Sequence, residues 1–258
     1  MRSLDFLIES SHLTLAAQEA GWDTAVFGFP VKSIERIKIH DSEGAYRDYK
    51  YYEEWITSER VGIVSCRLTH NDLTESMFLE AHGFRFVEMV LHPKLNSLQD
   101  FVFSEDIFRV ALATASDLDE LVHIAQRSFK FDRYHIDPRL SPEYANQRYG
   151  KWVNNSYYDN TQELYKVVDG GNIVAFFITE NRKENIVHWH LTAVAPELQQ
   201  QGYGYRVWMT MLNFHKLKGC RGITTTISVR NTPVLNLYSK LKFSFSIPEM
   251  TFHWLGNH

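Results

Sequence analysis

The chain has 258 residues, of which 44% are hydrophobic and 22% charged, and 27 Lys and Arg against 31 Asp and Glu leave a formal net charge of −4. This balance argues against a broad nucleic-acid-binding surface, and no apolar run approaches the roughly 20 residues that span a bilayer. At roughly 150 residues per domain, the length fits one large domain or two small ones.

The first residues and the cysteines suggest a reducing compartment. Asp5 and Glu9 interrupt the N-terminal segment, so we expect no signal peptide there. Cys66 and Cys220 lie far apart in apolar surroundings, which favours reduced core thiols over a disulfide or a metal site. We therefore expect a cytoplasmic protein.

The first part of the chain ends in a strand–helix–strand pattern. Residues 61–68 read as a strand, 72–82 as a helix and 84–92 as a strand. The polar segment 97–106 then follows, and we interpret it as a linker. This divides the chain into domains of residues 1–96 and 107–258.

The second part alternates strands and helices in the order β-α-α-β-β-β-α-β-α-β. Ser116 and Asp119 suggest a capping box before the first helix, and Asp169-Gly170-Gly171-Asn172 suggests a hairpin turn. The predicted strands are 107–113, 164–168, 173–179, 186–194, 223–229 and 243–255. Such an order predicts an α/β (α+β) domain with a mixed, mostly antiparallel central sheet and helices on both faces.

The strand–helix–strand pattern occurs twice, at 61–92 and at 223–255. In both places an Asn precedes the helix, Asn71 in the first and Asn231 in the second, and Phe84 or Phe243 opens the strand after it. We interpret this as a weak internal repeat in which the first domain is a truncated copy of the second.

The segment 194–204 has the features of a phosphate-binding turn. It joins a predicted strand to an amphipathic helix, and its two glycines allow close approach of an anion to a helix N-terminus. The dinucleotide and ATPase glycine patterns do not fit it. On the turn alone, an ordinary strand–helix connection is an equal alternative. The residues concerned are Val194, Pro196, Gln199, Gln200, Gln201, Gly202, Tyr203 and Gly204.

This spacing, Val-x-Pro-x-x-Gln-x-x-Gly-x-Gly, resembles the pyrophosphate-binding turn of the GNAT N-acetyltransferases. The segment from Asn231 to Phe243 resembles the same superfamily's Asn-x-x-Ala-x-x-x-Tyr-x-x-x-Gly-Phe motif, with Val234 in place of Ala and Lys242 in place of Gly. The resemblance covers about 107–255 and implies a GNAT fold, acetyl-CoA as cosubstrate, and Asn231 and the turn as its binding residues.

A narrower resemblance extends over both parts of the chain. Segments 22–28, 83–88, 128–133 and 152–155 are similar, in order, to the two-domain branch that contains dTDP-fucosamine acetyltransferase. That branch N-acetylates a nucleotide-linked 4-amino-4,6-dideoxy sugar. The resemblance implies a small amine acceptor, with a nucleotide amino sugar as the leading class and a partial GNAT-like first domain.

The resemblance also assigns catalytic roles. Tyr238 falls at the position of the general acid, Glu88 at that of the base, and the backbone near Ala193 and Val194 at that of the oxyanion donor. The plainer alternatives are a core tyrosine and a structural ion pair of Glu88 with Arg67 or Arg85. His188 and His190 are rival bases, because histidine titrates near neutrality.

The loop 131–140 is expected to flank the acceptor. Arg133 and Arg139 would bind phosphate there, Tyr134 would stack on a base, and His190 is placed with them as a substrate-binding residue; a solvated loop is the alternative. We expect no metal, no nucleic acid and no membrane as partners. The oligomeric state stays open, with a homodimer among the alternatives.

Two other functions compete with this hypothesis. The same reaction could serve another amine, such as an antibiotic, a polyamine or a protein N-terminus. A non-catalytic acyl-CoA-binding module would keep the fold and bind CoA without turnover.

Overall fold

The computed structural model describes residues 4–103 and 108–256. The chain forms two compact units. The first unit consists of Met1–Val90 together with Ile247–His258, and the second of Leu91–Ser246.

Eight helices and strands precede the second unit. In chain order they are β1 Phe6–Glu9, β2 Leu13–Glu19, α1 Gly21–Phe27, β3 Val31–Ile39, α2 Ser42–Ser58, β4 Ile63–Thr69, α3 Leu73–Ala81 and β5 Arg85–Leu91.

The remaining elements run from β6 to β14. They are β6 Pro93–Leu95, β7 Arg109–Leu112, α4 Leu118–Ser128, α5 Arg133–Ile136, α6 Pro142–Tyr158, β8 Glu163–Asp169, β9 Asn172–Arg182, β10 Ile186–Val194, α7 Tyr203–Leu217, β11 Gly222–Thr225, β12 Ile227–Ser228, α8 Thr232–Lys240, β13 Ser244–Phe245 and β14 Glu249–Leu255. Four short 3₁₀ turns lie between them within the described residues.

The sheet of the second unit has the strand order β13-β6-β11-β10-β9-β8-β7. Only the β10–β11 pair is parallel, and the other pairs are antiparallel. Core side chains of α7 and α8 pack with residues of one face, and those of α4 and α6 with residues of the other. The predicted mixed sheet with helices on both faces is therefore confirmed.

The sheet of the first unit has the order β1-β2-β3-β4-β14-β5. Its one parallel pair is β3–β4, which corresponds in position to β10–β11. One apolar cluster joins α2 and α3 to this sheet, with Tyr49, Tyr52, Leu79 and Phe252 among its buried members. The first unit has no counterparts of β7, α4 and α6 among its described residues.

Two strands pair in the sheet opposite to the one that their place in the predicted domains implied. β14, from the C-terminal end of the chain, pairs between β4 and β5 of the first unit, while β6 pairs between β11 and β13 of the second. The expected closing strand at 243–255 is thus two strands in different sheets, and Pro248 lies at the break. Proline has no N–H for a ladder hydrogen bond, which suits this position.

The division of the chain also differs from the expected one at the segment predicted as a linker. The expected linker, 97–106, lies partly outside the described residues, but its described part packs in the second unit. Leu98 is fully buried there, and Gln99 Nε2 donates a hydrogen bond to the Cys220 carbonyl over 2.7 Å. Although residues 97–103 are partly polar, this part of the chain packs in the second unit and is not a linker.

α3 and α8 end in the same way. Gly83 and Lys242 follow them with φ of 86° and 60°, in the left-handed region. Phe84 N donates to the Leu79 carbonyl and Phe243 N to the Tyr238 carbonyl, both over 3.0 Å. The paired motifs of the internal repeat thus share one backbone geometry, and Lys242 adopts the conformation in which glycine is usual.

Three local features predicted from the sequence can be compared with the structure: a hairpin, a capping box and a strand. The hairpin is confirmed, because Gly170 and Gly171 have φ of 55° and 94° and Asp169 pairs with Asn172. The capping box was misplaced: Thr114 and Asp117 form it, two residues earlier, where a 3₁₀ turn leads into α4. The predicted strand at 223–229 is interrupted between β11 and β12.

Candidate active site

β10 and β11 separate in the middle of the second sheet. Their parallel pairing runs from Ile186 with Gly222 to Trp189 with Thr225, where β11 ends. β10 continues to Val194. Within the described chain, the pairing of β10 with β11 therefore ends at Trp189, and the rest of this edge of β10 has no ladder partner in β11.

A β-bulge at His190 reverses the side-chain alternation of β10. Trp189 pairs with Thr179 of β9 and Leu191 with Ile178, so His190 has no opposite residue. Trp189 accordingly packs in the α7 core and Leu191 in the α4–α6 core. The bulge lies at His190 and not near Ala193 and Val194, where the resemblance placed the oxyanion donor; those two residues pair regularly with β9.

The bulge places Thr192 beside Tyr238. The side chains of Thr192, Thr225 and Trp208 lie close enough to the Tyr238 hydroxyl to act on its pKa, and the Thr225 hydroxyl itself donates to the Trp189 carbonyl over 2.9 Å. Thr225 is the last residue of β11, and Thr192 lies on the unpaired part of β10. The phenol is therefore at the point where the two strands separate. Neither threonine was identified from the sequence, because nothing there reveals a bulge.

Tyr238 is only 1% exposed. Burial raises the pKa of Tyr238 above its ordinary value, while hydrogen bonding to Trp208, Thr225 and Thr192 acts in the opposite direction with smaller effect. The phenol therefore keeps its proton at neutral pH, as a proton donor must.

The turn between β10 and α7 has the backbone of an anion site. Gln200 and Gly202 have φ of 63° and 83°, and Gly202 is the residue before the first turn of α7. Gln199 folds back, its Nε2 donating to the Val194 carbonyl over 3.0 Å. The free N–H groups and the positive end of the α7 dipole lie at this turn.

The same turn fits a diphosphate. A Cβ added at Gly202 would meet no atom within 4 Å, and one at Gly204 would meet only Leu237 Cδ2, at 3.9 Å. Packing within the protein thus does not require glycine at either position. Open space over exposed N–H donors is what an approaching phosphate needs. Pro196 begins a 3₁₀ turn, Gln200 and Gln201 are exposed, and Tyr203 begins α7.

Asn231 caps α8, since its Oδ1 accepts a hydrogen bond from Val234 N over 3.4 Å. It therefore fixes the start of the helix that carries Tyr238. The structure gives Asn231 a structural role, and its binding role stays a prediction.

The two histidines of β10 differ in their partners. His188 Nδ1 lies 2.9 Å from Thr224 Oγ1, and burial with nearby Arg182, His190 and His92 lowers the pKa of His188 to about 3. The His190 ring lies at the bulge, with Nε2 2.8 Å from Glu180 Oε2. His188 is thus a weak base at neutral pH, and His190 is held in place by a carboxylate.

Glu88 belongs to the first unit and is 4% exposed. Its Oε1 lies 3.9 Å from Arg67 NH2, and Arg67 also reaches Glu249, with 3.9 Å between Nε and Oε2. The ion pair that the sequence offered as the plainer alternative therefore exists. It does not decide whether Glu88 also accepts a proton.

The loop predicted to flank the acceptor contains pairs that are already formed. Tyr134 is 1% exposed, with the guanidinium carbons of Arg133 and Arg148 4.7 Å and 5.4 Å from its ring centroid. Arg139 forms a bidentate pair with buried Asp137, at 2.9 Å and 2.8 Å. Stacking of a base on Tyr134 does not fit this burial, and Arg139 is not available to a phosphate without giving up Asp137.

The described residues contain no cluster of three or more His, Cys, Asp or Glu side chains placed to hold a metal ion. Their helices include none with the length and apolarity needed to cross a membrane. Cys66 and Cys220 are free and buried.

The arrangement brings together a glycine-containing turn at the start of α7, the separation of β10 and β11, and the buried phenol of Tyr238. Residues 118–243 match the acetyltransferase (GNAT) family. This region, just under half of the chain, is thus similar to a family of acetyltransferases whose members use acetyl-CoA.

Similar proteins and similar folds extend over nearly the whole chain. SpsD of Bacillus subtilis (strain 168), a spore coat polysaccharide biosynthesis protein, is 20% identical over 255 residues, which cover 97% of this chain and 87% of SpsD. A GCN5-related N-acetyltransferase from Sphaerobacter thermophilus has a similar fold, with a TM-score of 0.63, 12% identity, and 97% and 82% of the two chains covered. A tandem GNAT protein from the clavulanic acid biosynthesis pathway also has a similar fold, with a TM-score of 0.58 and 12% identity. The similarity covers 95% of this chain and 79% of that protein.

Proposed function

We propose that this protein transfers the acetyl group of acetyl-CoA to the amine of a nucleotide-linked amino sugar. The observation that carries the acyl-transfer chemistry is the buried Tyr238 phenol at the separation of β10 and β11, near Thr192 and Thr225. The sugar class is supported by the resemblance to the two-domain branch and by the name of SpsD.

Several groups of this chain would bind and orient the substrates. The turn at Gln200 and Gly202 and the first turn of α7 would hold the diphosphate of CoA. The unpaired edge of β10 would orient the rest of the cosubstrate. When bound, acetyl-CoA supplies the thioester carbonyl that the amine attacks.

Proton transfers are assigned to two residues. Tyr238 holds the proton that the leaving thiolate takes, because burial keeps its phenol neutral. Glu88 is our candidate for the group that receives the amine proton. His190, oriented by Glu180, is the competing base. Neither cysteine is needed as a nucleophile, since burial raises the pKa of both thiols and leaves them protonated.

The test is to incubate the protein with acetyl-CoA and a panel of nucleotide amino sugars, with polyamines and an aminoglycoside as other amines, and to follow free thiol. We expect release of CoA with the nucleotide sugars and acetylated product by mass spectrometry. Turnover only with the other amines would reject the sugar assignment. CoA binding without turnover on any amine would favour a non-catalytic acyl-CoA-binding module.

A further inference from the structure

A cavity of about 350 Å³ lies in the second unit at the start of β10. Its volume is within the range of small-molecule sites. It is lined by β6, β10, β11, β13 and the end of β9, and the residues used below are Lys94, Arg182, His188, Thr225 and Phe245.

The charge of this cavity is positive. Lys94 and Arg182 line it, and no carboxylate does among the described residues. The nearest acid partner of Arg182 is Glu180, with 3.5 Å between NH2 and Oε2 and both side chains partly exposed. Glu180 also binds His190, at 2.8 Å. Arg182 is therefore only weakly neutralised, and a planar guanidinium suits an oxyanion with two acceptor oxygens.

The other lining groups are hydroxyls, a neutral histidine and an aromatic ring. His188, whose pKa lies at about 3, stays uncharged at neutral pH. Thr224 and Ser244 add hydroxyl groups. Phe245 is 37% exposed, which leaves apolar surface for a sugar or a base. Donors for an anion and an apolar surface are thus present together.

Thr225 connects the cavity to the proposed chemistry. It lines the cavity, and its side chain, which donates to the Trp189 carbonyl over 2.9 Å, is also close enough to the Tyr238 hydroxyl to act on its pKa. A ligand in the cavity would therefore extend toward the separation of β10 and β11.

The cavity is separate from the turn at Gly202. His188 lies near the start of β10 and Val194 at its end. Six residues of extended strand span roughly 20 Å at about 3.3 Å per residue. One diphosphate cannot occupy both places.

We propose that this cavity is the anion subsite of the acceptor: Lys94 and Arg182 bind the diphosphate of a nucleotide-linked amine, and Phe245 contacts its nucleoside or sugar. The inference rests on the proposed function for the identity of the acceptor. The shared chemistry is a diphosphate, which either the acceptor or CoA could supply, and the test separates the two.

The experiment measures binding of thymidine diphosphate and of inorganic pyrophosphate by calorimetry to protein saturated with CoA. The variants are the double substitution Lys94→Gln, Arg182→Gln and the matched control Arg221→Gln, an exposed arginine that does not line the cavity. We expect both probes to bind the parent and the control, and to bind the double variant at least about tenfold more weakly, as the loss of charge-assisted hydrogen bonds implies. CoA affinity should be unchanged throughout.

Three results would overturn the inference: no binding of either probe to the CoA-saturated parent, equal binding to parent and double variant, or a loss of CoA affinity in the double variant. Failure of the proposed function looks different. If no nucleotide amino sugar is acetylated and the probes still depend on Lys94 and Arg182, the anion subsite stands and the acyl transfer does not.

Discussion

Tyr238 and Leu79 hold the same position in two similar helix ends, since the carbonyl of each accepts the N–H of the phenylalanine five residues later. Of the two, only Tyr238 carries a hydroxyl. The sequence motif selects Tyr238 among 13 tyrosines, and its catalytic role stays a prediction. Its partners Thr192 and Thr225 were not predictable, because they depend on where two strands separate.

Removing the Tyr238 hydroxyl tests its role directly. Tyr238→Phe keeps the buried ring, so we expect CoA affinity within about twofold of the parent and kcat lower by roughly 10² or more, the usual contribution of a general acid. Steady-state kinetics and CoA titration measure the two quantities. Tyr51→Phe, an exposed tyrosine of α2, is the control and should change neither. Unchanged kcat in Tyr238→Phe would remove the residue from the mechanism.

His215 predicts a pH dependence of stability. It is 2% exposed, and burial with nearby Lys218 lowers the pKa of His215 to about 3. Between about pH 6.5 and 3 the unfolded chain binds a proton there that the folded chain does not. Its contribution to stability is therefore present above pH 6.5 and is lost as the pH falls below that value.

The measurement is urea unfolding of the parent and of His215→Leu at several pH values from 7 to 4.5. We expect the free energy of unfolding of the parent to fall more steeply with acid, by up to about 1.4 kcal/mol per pH unit relative to the variant. His123→Leu, on the exposed side of α4, is the control. Parallel slopes for the parent and His215→Leu would contradict the assignment.

At the scale of elements, the sequence predicted regular strands and turns correctly, but it did not predict where a strand is interrupted. β10 was predicted at its observed bounds, and the Gly170–Gly171 hairpin followed from its turn residues. The resemblance implied a bulged strand near Ala193 and Val194, but the bulge lies at His190. An alternating sequence of polar and apolar residues does not show where a strand is interrupted. Yet the bulge brings Thr192 to the face of Tyr238, so the least predictable position of β10 determines the geometry of the candidate site.

The glycines of the turn allow binding to be separated from stability. Gly204→Ala places its Cβ no closer than 3.9 Å to Leu237 and lies inside α7, so we expect stability to be unchanged or higher by up to about 1 kcal/mol. Gly202→Ala, at φ 83°, should cost about 1 kcal/mol. Because both methyl groups enter the space assigned to the diphosphate, both variants should bind CoA at least about tenfold more weakly. Thermal unfolding and CoA titration distinguish the effects, and Gly204→Ala with parental CoA affinity would displace the diphosphate from this turn.

At the scale of the whole molecule, the sequence indicated a truncated copy before a complete one, and the two sheets share the corresponding strand order. The assignment of 243–255 to the second domain did not fit, since the pairing of β14 with β4 and β5 is long-range and local patterns do not encode it. Phe243 and Phe252 are nine positions apart and both buried, but they belong to the cores of different units.

These two phenylalanines provide a matched test of where β14 pairs. Either substitution to Ala should cost about 3–5 kcal/mol. By hydrogen exchange, Phe252→Ala should lose protection chiefly in β4 and β5, and Phe243→Ala chiefly in β11 and α8. Loss of protection in the same peptides for both variants would show that the pairing of β14 does not belong to the first unit.

The position of β14 also bears on how the chain is made. A ribosome completes residues 1–90 long before residue 249, so the nascent first unit has β4 and β5 without the strand that pairs between them. Its sheet can close only when the last residues have emerged, and until then two unpaired strand edges are open to other chains. A stalled or C-terminally shortened product would therefore be damaged first in the half of the protein that was synthesised earliest.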